Sequence, residues 1–305
     1  MMKNPTISRI RLLLIAGALI IAVTSSSIVS VRADGNLLRG FDVPALVPEG
    51  PGLSTNPALY WPIGVAFDGH NLWYADPCRC TSDIFETSTT GVLLNTLHEV
   101  NQAGGLAWDG TKLWAGSFLA NAVTCTAGST RCAYLTEIDV STGNPVSVVD
   151  LSSIFAADQE CGLINGVGFD PGTGTFWVVP NPGCLNAVGI DGCSTAFIYN
   201  VDSTGTLLQR IKVPYGAFSA EKVGSYLYIS SCKVPPFPQR PIFKTTLDGT
   251  VVSSFSTVSV SGQREDAEDL AFDPVTFTPS CALWVMQLYG FPFDASLASY
   301  QIACP

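Results

Sequence analysis

Histidine and methionine are almost missing. The 305-residue chain has two His, His70 and His98, and three Met. His70 falls in a tight turn and His98 in an outer strand, neither placed to meet the other, which leaves almost no material for a His-based metal centre or a Ser-His-Asp triad. Charge is also scarce, at 13% of residues, and basic charge is the scarcer sign, with 15 Lys and Arg against 25 Asp and Glu. Four of the basic residues (Lys3, Arg9, Arg11, Arg32) lie in the first 33 positions, which hold no acid, so residues 34–305 carry 11 basic against 25 acidic. A chain that acidic repels phosphate backbones, so nucleic acid is not an expected partner. No Asn-x-Ser/Thr sequon occurs, and no Gly-rich phosphate loop leads into a helical pattern.

Long apolar runs are missing too. The longest, Leu12–Val23, has twelve residues, short of the roughly 20 needed to span a bilayer. It follows a basic start and precedes Val31-Arg32-Ala33, which fits the small-residue rule for signal cleavage. Residues 1–33 are therefore expected to be a signal peptide. Residues 34–305 are expected to form one domain, secreted or periplasmic, without a membrane span. All ten Cys follow residue 33. Export and an even count argue for disulfides.

The strongest positive signal is a repeat. A small residue, an aliphatic, a small residue, an aromatic and Asp precede a tight turn and an aromatic strand. The phrase reads Gly64-Val65-Ala66-Phe67-Asp68 before Leu72-Trp73-Tyr74, and Gly105-Leu106-Ala107-Trp108-Asp109 before Leu113-Trp114-Ala115. It returns as Gly166-Val167-Gly168-Phe169-Asp170 before Phe176-Trp177-Val178, and as Asp269-Leu270-Ala271-Phe272-Asp273 before Leu283-Trp284-Val285. A degenerate copy runs from Ser219 to Val223 before Leu227-Tyr228-Ile229. After each of the first four copies comes a strand, a turn ending in Gly (Gly91, Gly143, Gly205, Gly249) and another strand. Four antiparallel strands in about fifty residues make a propeller blade. The expected fold is all-β, a β-propeller of five four-stranded blades with strands A to D. The last copy stops after its C strand. Asp34 to Val43 parallels Thr204 to Val213, so the N-terminal strand is expected to complete the last blade and close the ring, protecting its edges.

In such a ring the D–A and B–C connections share one face. Cys78, Cys80, Cys125, Cys132, Cys161, Cys184, Cys193 and Cys232 crowd that face. Cys125–Cys132 and Cys184–Cys193 are plausible loop staples, with Cys161–Cys184 competing. Cys281 opens strand B of the last blade and Cys304 ends its strand C, so antiparallel pairing should join them.

Candidate site residues lie where innermost strands depart from the repeat. Asn165, Glu221, Glu268 and Asp269 replace bland residues near the channel mouth, and Glu265 to Asp269 holds four carboxylates. Oxygen clusters of this kind suit Ca²⁺. Glu265 and Asp266 are expected in a solvated loop. Phe118 and Tyr289, with Phe237 and Phe291, are candidate aromatic anchors on the long-loop face.

The blade grammar resembles that of the NHL-type and gluconolactonase-like (regucalcin) propeller superfamily. Asn165-Gly166-Val167-Gly168-Phe169-Asp170-Pro171 is similar to its Asn-Gly-Leu blade start, and Glu268-Asp269-Leu270-Ala271-Phe272-Asp273 to its Asp-Gly start. The resemblance implies Asn165 as a metal ligand and Asp269 as a ligand or catalytic base on a lactone, with Glu268 beside them. The family's first-blade Glu has Ile63 and Gly64 in its place here. Two functions are expected. One is binding of a protein, glycan or small ligand at the loop-rich face, by a monomer. The alternative is a metal-assisted, Ca-type hydrolase, lactonase or lyase at the channel mouth.

Overall fold

The repeated aspartate is what turns the chain. Asp68 Oδ1 accepts the backbone N–H groups of His70 and Asn71, Asp109 Oδ1 those of Thr111 and Lys112, and Asp273 Oδ1 those of Val275 and Thr276. These are Asx-type turns, in which a short side chain closes the reversal. The second carboxylate oxygen takes the indole N–H of the tryptophan on the returning strand: Trp73 at 2.9 Å, Trp114 at 2.8 Å and Trp284 at 2.9 Å. Asp and Trp recur together because one carboxylate both closes a turn and satisfies a donor that would otherwise be buried unpaired. At the outer turns, Gly91, Gly143, Gly205 and Gly249 adopt φ between +77° and +88°, which Gly supplies without Cβ strain.

The computed structural model describes residues 34–43, 62–76, 83–98, 100, 103–117, 133–158, 160, 162–181, 196–231, 241–258, 260, 265–289 and 294–305. These residues all belong to one compact unit, Arg32–Pro305. The first strand, β1 (Leu37–Asp42), leads into blade 1, formed by β2 (Gly64–Phe67), β3 (Asn71–Asp76), β4 (Asp83–Ser88) and β5 (Leu93–Leu97). Blade 2 is β6 (Ala103–Trp108), β7 (Leu113–Ser117), β8 (Tyr134–Ile138) and β9 (Pro145–Asp150). A short helix, α1 (Ser152–Ala157), precedes blade 3, which is β10 (Ile164–Asp170), β11 (Thr175–Pro180), β12 (Ala196–Val201) and β13 (Leu207–Val213). Blade 4 is β14 (Ala217–Val223), β15 (Tyr226–Ser231), β16 (Pro241–Thr246) and β17 (Val251–Ser256). Blade 5 holds β18 (Glu265–Asp273), β19 (Cys281–Tyr289) and β20 (Asp294–Ile302).

The fourth strand of blade 5 is β1. The sheet order is β18-β19-β20-β1, with Leu37 opposite Tyr300 and Asp42 opposite Ser296. The ring is a five-bladed propeller closed by its first strand, as the sequence pattern requires. Asp34 fastens the closure: it accepts from Tyr228 Oη and Lys244 Nζ of blade 4, both at 3.0 Å, and from the Ala303 N–H at 2.9 Å. The Cys281–Cys304 disulfide is present, with a Cα–Cα distance of 5.1 Å, and ties the chain end to the start of β19. The other eight cysteines and residues 1–33 lie outside the described residues.

Apolar burial is divided among the seams between blades. One cluster joins blades 1 and 2 through Trp73, Leu106 and Ile138, and the next joins blades 2 and 3 through Trp114, Phe176 and Tyr199. Others join blades 3 and 4 through Trp177 and Phe243, blades 4 and 5 through Tyr228 and Tyr300, and blades 5 and 1 through Trp284 and Tyr74. Each blade therefore needs both neighbours to bury its faces.

One element is added to the expected fold, and one local expectation is corrected. Helix α1 interrupts an otherwise all-β chain; it is too short to produce a periodic pattern, and its one buried residue, Phe155, stacks on Tyr199 at 5.0 Å. Glu265 and Asp266 are not in a loop. They extend β18, pairing with Tyr289 and Leu288, because the long β19 offers a partner strand that local composition does not reveal. Among the described residues no helix is long and apolar enough to cross a membrane.

Candidate functional site

The innermost strands pack almost backbone to backbone. A Cβ on Gly64 would lie 2.1 Å from the Gly104 carbonyl oxygen, one on Gly105 would lie 2.5 Å from Gly166 Cα, and one on Gly166 would lie 2.4 Å from Ser219 Cα. Glycine is needed at these repeat positions for close approach, at ordinary φ. In four blades the pairing with the second strand shifts register at the same place, next to Leu106, Gly166, Ser219 and Leu270. A recurrent bulge of this kind turns backbone and side chains out of the ladder, here toward the ring axis.

Asp269 fills the space those glycines leave. It is fully buried. Its Oδ2 accepts the Val65 N–H at 3.0 Å and the Leu106 N–H at 2.9 Å, from blades 1 and 2. Its Oδ1 accepts from Ser219 Oγ of blade 4, and the Leu270 N–H adds a fourth donor. A side chain of blade 5 that meets blades 1, 2 and 4 together sits on the axis. Burial pushes its carboxyl up to about 7, while Ser219, Leu106, Val65 and Leu270 all pull the other way by favouring the charged form.

Asn165 and Glu268 stand together one residue nearer the D–A connections. Asn165 Nδ2 donates to the Phe218 carbonyl at 3.2 Å and to Glu268 Oε2 at 3.4 Å, and Asn165 Oδ1 accepts from Asn181 at 3.2 Å. The Glu268 carbonyl accepts from Ser230 Oγ. As placed, this set suits Ca²⁺ poorly: Asp269 faces N–H and O–H donors, and Asn165 turns its amide nitrogen toward Glu268. Among the described residues no group of three His, Cys, Asp or Glu side chains is arranged to hold a metal ion.

Glu221 lies on the other side of Asp269, toward the A–B turns. Gly168 makes room for it, since a Cβ there would meet Glu221 Oε2 at 2.6 Å. Glu221 Oε1 accepts the Phe272 N–H at 3.2 Å, and the Phe169 N–H also donates to the carboxylate. Burial pushes its carboxyl well above the ordinary range, and the Asp269 charge adds to the shift. The structure thus places Asn165 with Glu268, and Glu221 apart from them beyond the axial Asp269.

Below Glu221 a cavity of about 320 Å³ opens between the A–B turns. Phe67, Trp108, Phe169 and Phe272 line it, with Lys222 at the fifth position. These five side chains come from the fourth position of the repeated phrase. Sequence reasoning passed over them as core aromatics, although the change to Lys222 in one copy was visible. It passed over Ser219 and Asn181 as well, since nothing local marks them as partners of Asp269 and Asn165. Lys222 Nζ pairs with Asp170 Oδ2 at 3.0 Å. Phe118, Phe237 and Phe291 lie outside the described residues, as does the side chain of Tyr289, whose backbone ends β19. His70 sits exposed in the first A–B turn, and His98 lies 3.4 Å from Asp83 on another element.

No protein-family model and no curated protein matches the chain. Among solved structures it is similar to a glutaminyl cyclase from Myxococcus xanthus, with 11% identity, a TM-score of 0.52, and coverage of 88% of this chain and 97% of that one. It is also similar to the tail fiber of Staphylococcus aureus phage P68, with 10% identity, a TM-score of 0.51, and coverage of 87% of this chain and 53% of that one. A gluconolactonase from Xanthomonas campestris aligns over 79% of this chain and 86% of its own, with 16% identity and a TM-score of 0.42. At these identities the likeness is one of fold alone, that of a β-propeller.

Proposed function

We propose that this chain is an exported, disulfide-stabilised β-propeller that binds a protein, glycan or small ligand at its loop-rich face and does not hydrolyse it. The observation that carries this reading is the state of Asp269. The residue best placed by resemblance to act as a base has donors on both oxygens, drawn from four strands. A general base must instead face the proton it removes. The disulfide at the ring closure and the even cysteine count support an oxidising location.

The alternative, a Ca-type hydrolase, lactonase or lyase, is favoured only by the meeting of Asn165 with Glu268. Residues 34–305 are to be assayed on a chromogenic lactone and ester with Ca²⁺ and with EDTA, beside Asp269→Asn. The expected result is no turnover above buffer and a melting midpoint that Ca²⁺ and EDTA leave unchanged. Ca²⁺-dependent turnover that a folded Asp269→Asn variant loses would replace binding with catalysis. On a glycan array, the parent should retain a ligand that Phe118→Ala and Tyr289→Ala variants release.

A further inference from the structure

The end of the axis opposite the long loops has its own chemistry. Its cavity of about 320 Å³ falls within the range of small-ligand pockets. Three of its aromatic side chains, Trp108, Phe169 and Phe272, keep partial exposure while packing against the blade cores. Phe67 completes the wall. Among the described residues the lining has one basic side chain, Lys222, and it is neutralised by Asp170. The carboxylates of Asp68 and Asp109 stand at the rim, turned into their own loops. At the inner end lies Glu221, 9% exposed.

The net charge of this lining is negative, its walls are aromatic, and its hydrogen-bond acceptors are few. A primary ammonium would arrive with three N–H groups and find too few partners. A quaternary ammonium has no N–H to satisfy. It is attracted by aromatic rings, and the buried Glu221 carboxyl, which burial holds toward its neutral form, would ionise against a bound cation. We propose that this cavity is a binding site for a small quaternary ammonium cation, with Glu221 as its counter-charge and Trp108, Phe169 and Phe272 as its walls. The site goes beyond the reading above, since it lies at the other end of the axis and does not depend on what the loop face takes. Burial and the nearby Asp269 hold the Glu221 carboxyl in a state that a bound cation would relieve.

The probes are choline and its neutral isostere 3,3-dimethyl-1-butanol, titrated calorimetrically into residues 34–305. Choline should bind at least about tenfold more tightly than the isostere. Glu221→Gln should remove that preference, and Trp108→Ala should weaken both ligands. Equal binding of the two probes, or no saturation by choline at about 10 mM, overturns the proposal. So does choline binding that survives both substitutions, because the ligand then sits elsewhere. Should Glu221→Gln not fold, the comparison of probes on the unsubstituted chain and on Trp108→Ala still decides.

Discussion

Blades 1, 2 and 5 solve the A–B turn in one way, and the seam between blades 3 and 4 solves it in another. In the first group Asp68, Asp109 and Asp273 each hold an indole N–H. In blade 3 the equivalent Asp170 takes Lys222 from blade 4, and Trp177 Nε1 is buried without a hydrogen-bond partner among the described residues. Blade 4 has no turn aspartate; Val223 stands there. At the same seam Gly168 admits Glu221, and Gly166 admits the backbone of Ser219, the residue that reaches Asp269. The regular blades spend the repeat on stability. The seam departs from it, losing a local hydrogen bond and gaining the one lysine and one glutamate of the axial cavity.

The most damaging way to break this contrast is to fill the space at the seam. In Gly166→Val the new Cβ meets Ser219 Cα at 2.4 Å, where backbone opposes backbone and neither strand can yield. The expected loss is about 3 kcal/mol or more in denaturant unfolding. Gly174→Ala, at an open turn with φ +69°, carries only the left-handed strain, about 1 kcal/mol. Equal effects would mean that the inner strands are not held by close approach.

A smaller effect should follow pH. Asp269 has its carboxyl raised by burial to about 7 in the folded chain, against an ordinary value near 4 when unfolded. The folded state therefore holds the proton more tightly. Stability from this group is complete below about pH 4 and declines as pH rises to about 7. Glu221, raised by burial and by Asp269, steepens the same decline. The unfolding free energy should fall across that window by a few kcal/mol in total, and the melting midpoint with it. In Asp269→Asn the slope should shrink to what Glu221 alone supplies. A midpoint that rises across the window would show that Asp269 ionises below its ordinary value, as its four donors alone would dictate.

Much of this was legible in the sequence, because a repeat exposes its own exceptions. Five copies of one phrase, and an N-terminal strand matching Thr204 to Val213, pointed to five blades and to the closure that the structure has. The departures at Asn165, Glu221, Glu268 and Asp269 were legible as departures. Their partners were not. The donors to Asp269 come from residues 50, 163 and 204 positions away, and they converge only because bulges and glycines bring separate inner strands together. The cavity was hidden for a related reason. Its lining residues read as core aromatics one at a time, and only ring closure sets Phe67, Trp108, Phe169 and Phe272 around a common space with Lys222. The loop face drew the eye through its cysteines and its length, while the described cavity opens at the opposite end.

The finest test exchanges the same residue in the two regions. Trp114→Phe removes a 2.8 Å hydrogen bond to Asp109 and leaves that part-buried carboxylate short of one donor. The expected cost is about 1–2 kcal/mol. Trp177→Phe removes an indole N–H that has no partner to lose among the described residues. The polar penalty disappears with the donor and only part of the ring contact goes, so the net change should be under about 1 kcal/mol. Equilibrium unfolding of the two variants, with Trp73→Phe as a second member of the regular group, gives the comparison directly. Should Trp177→Phe cost as much as Trp114→Phe, the indole of blade 3 has a partner after all, and the Asp170–Lys222 pair has not displaced the bond that the other blades keep.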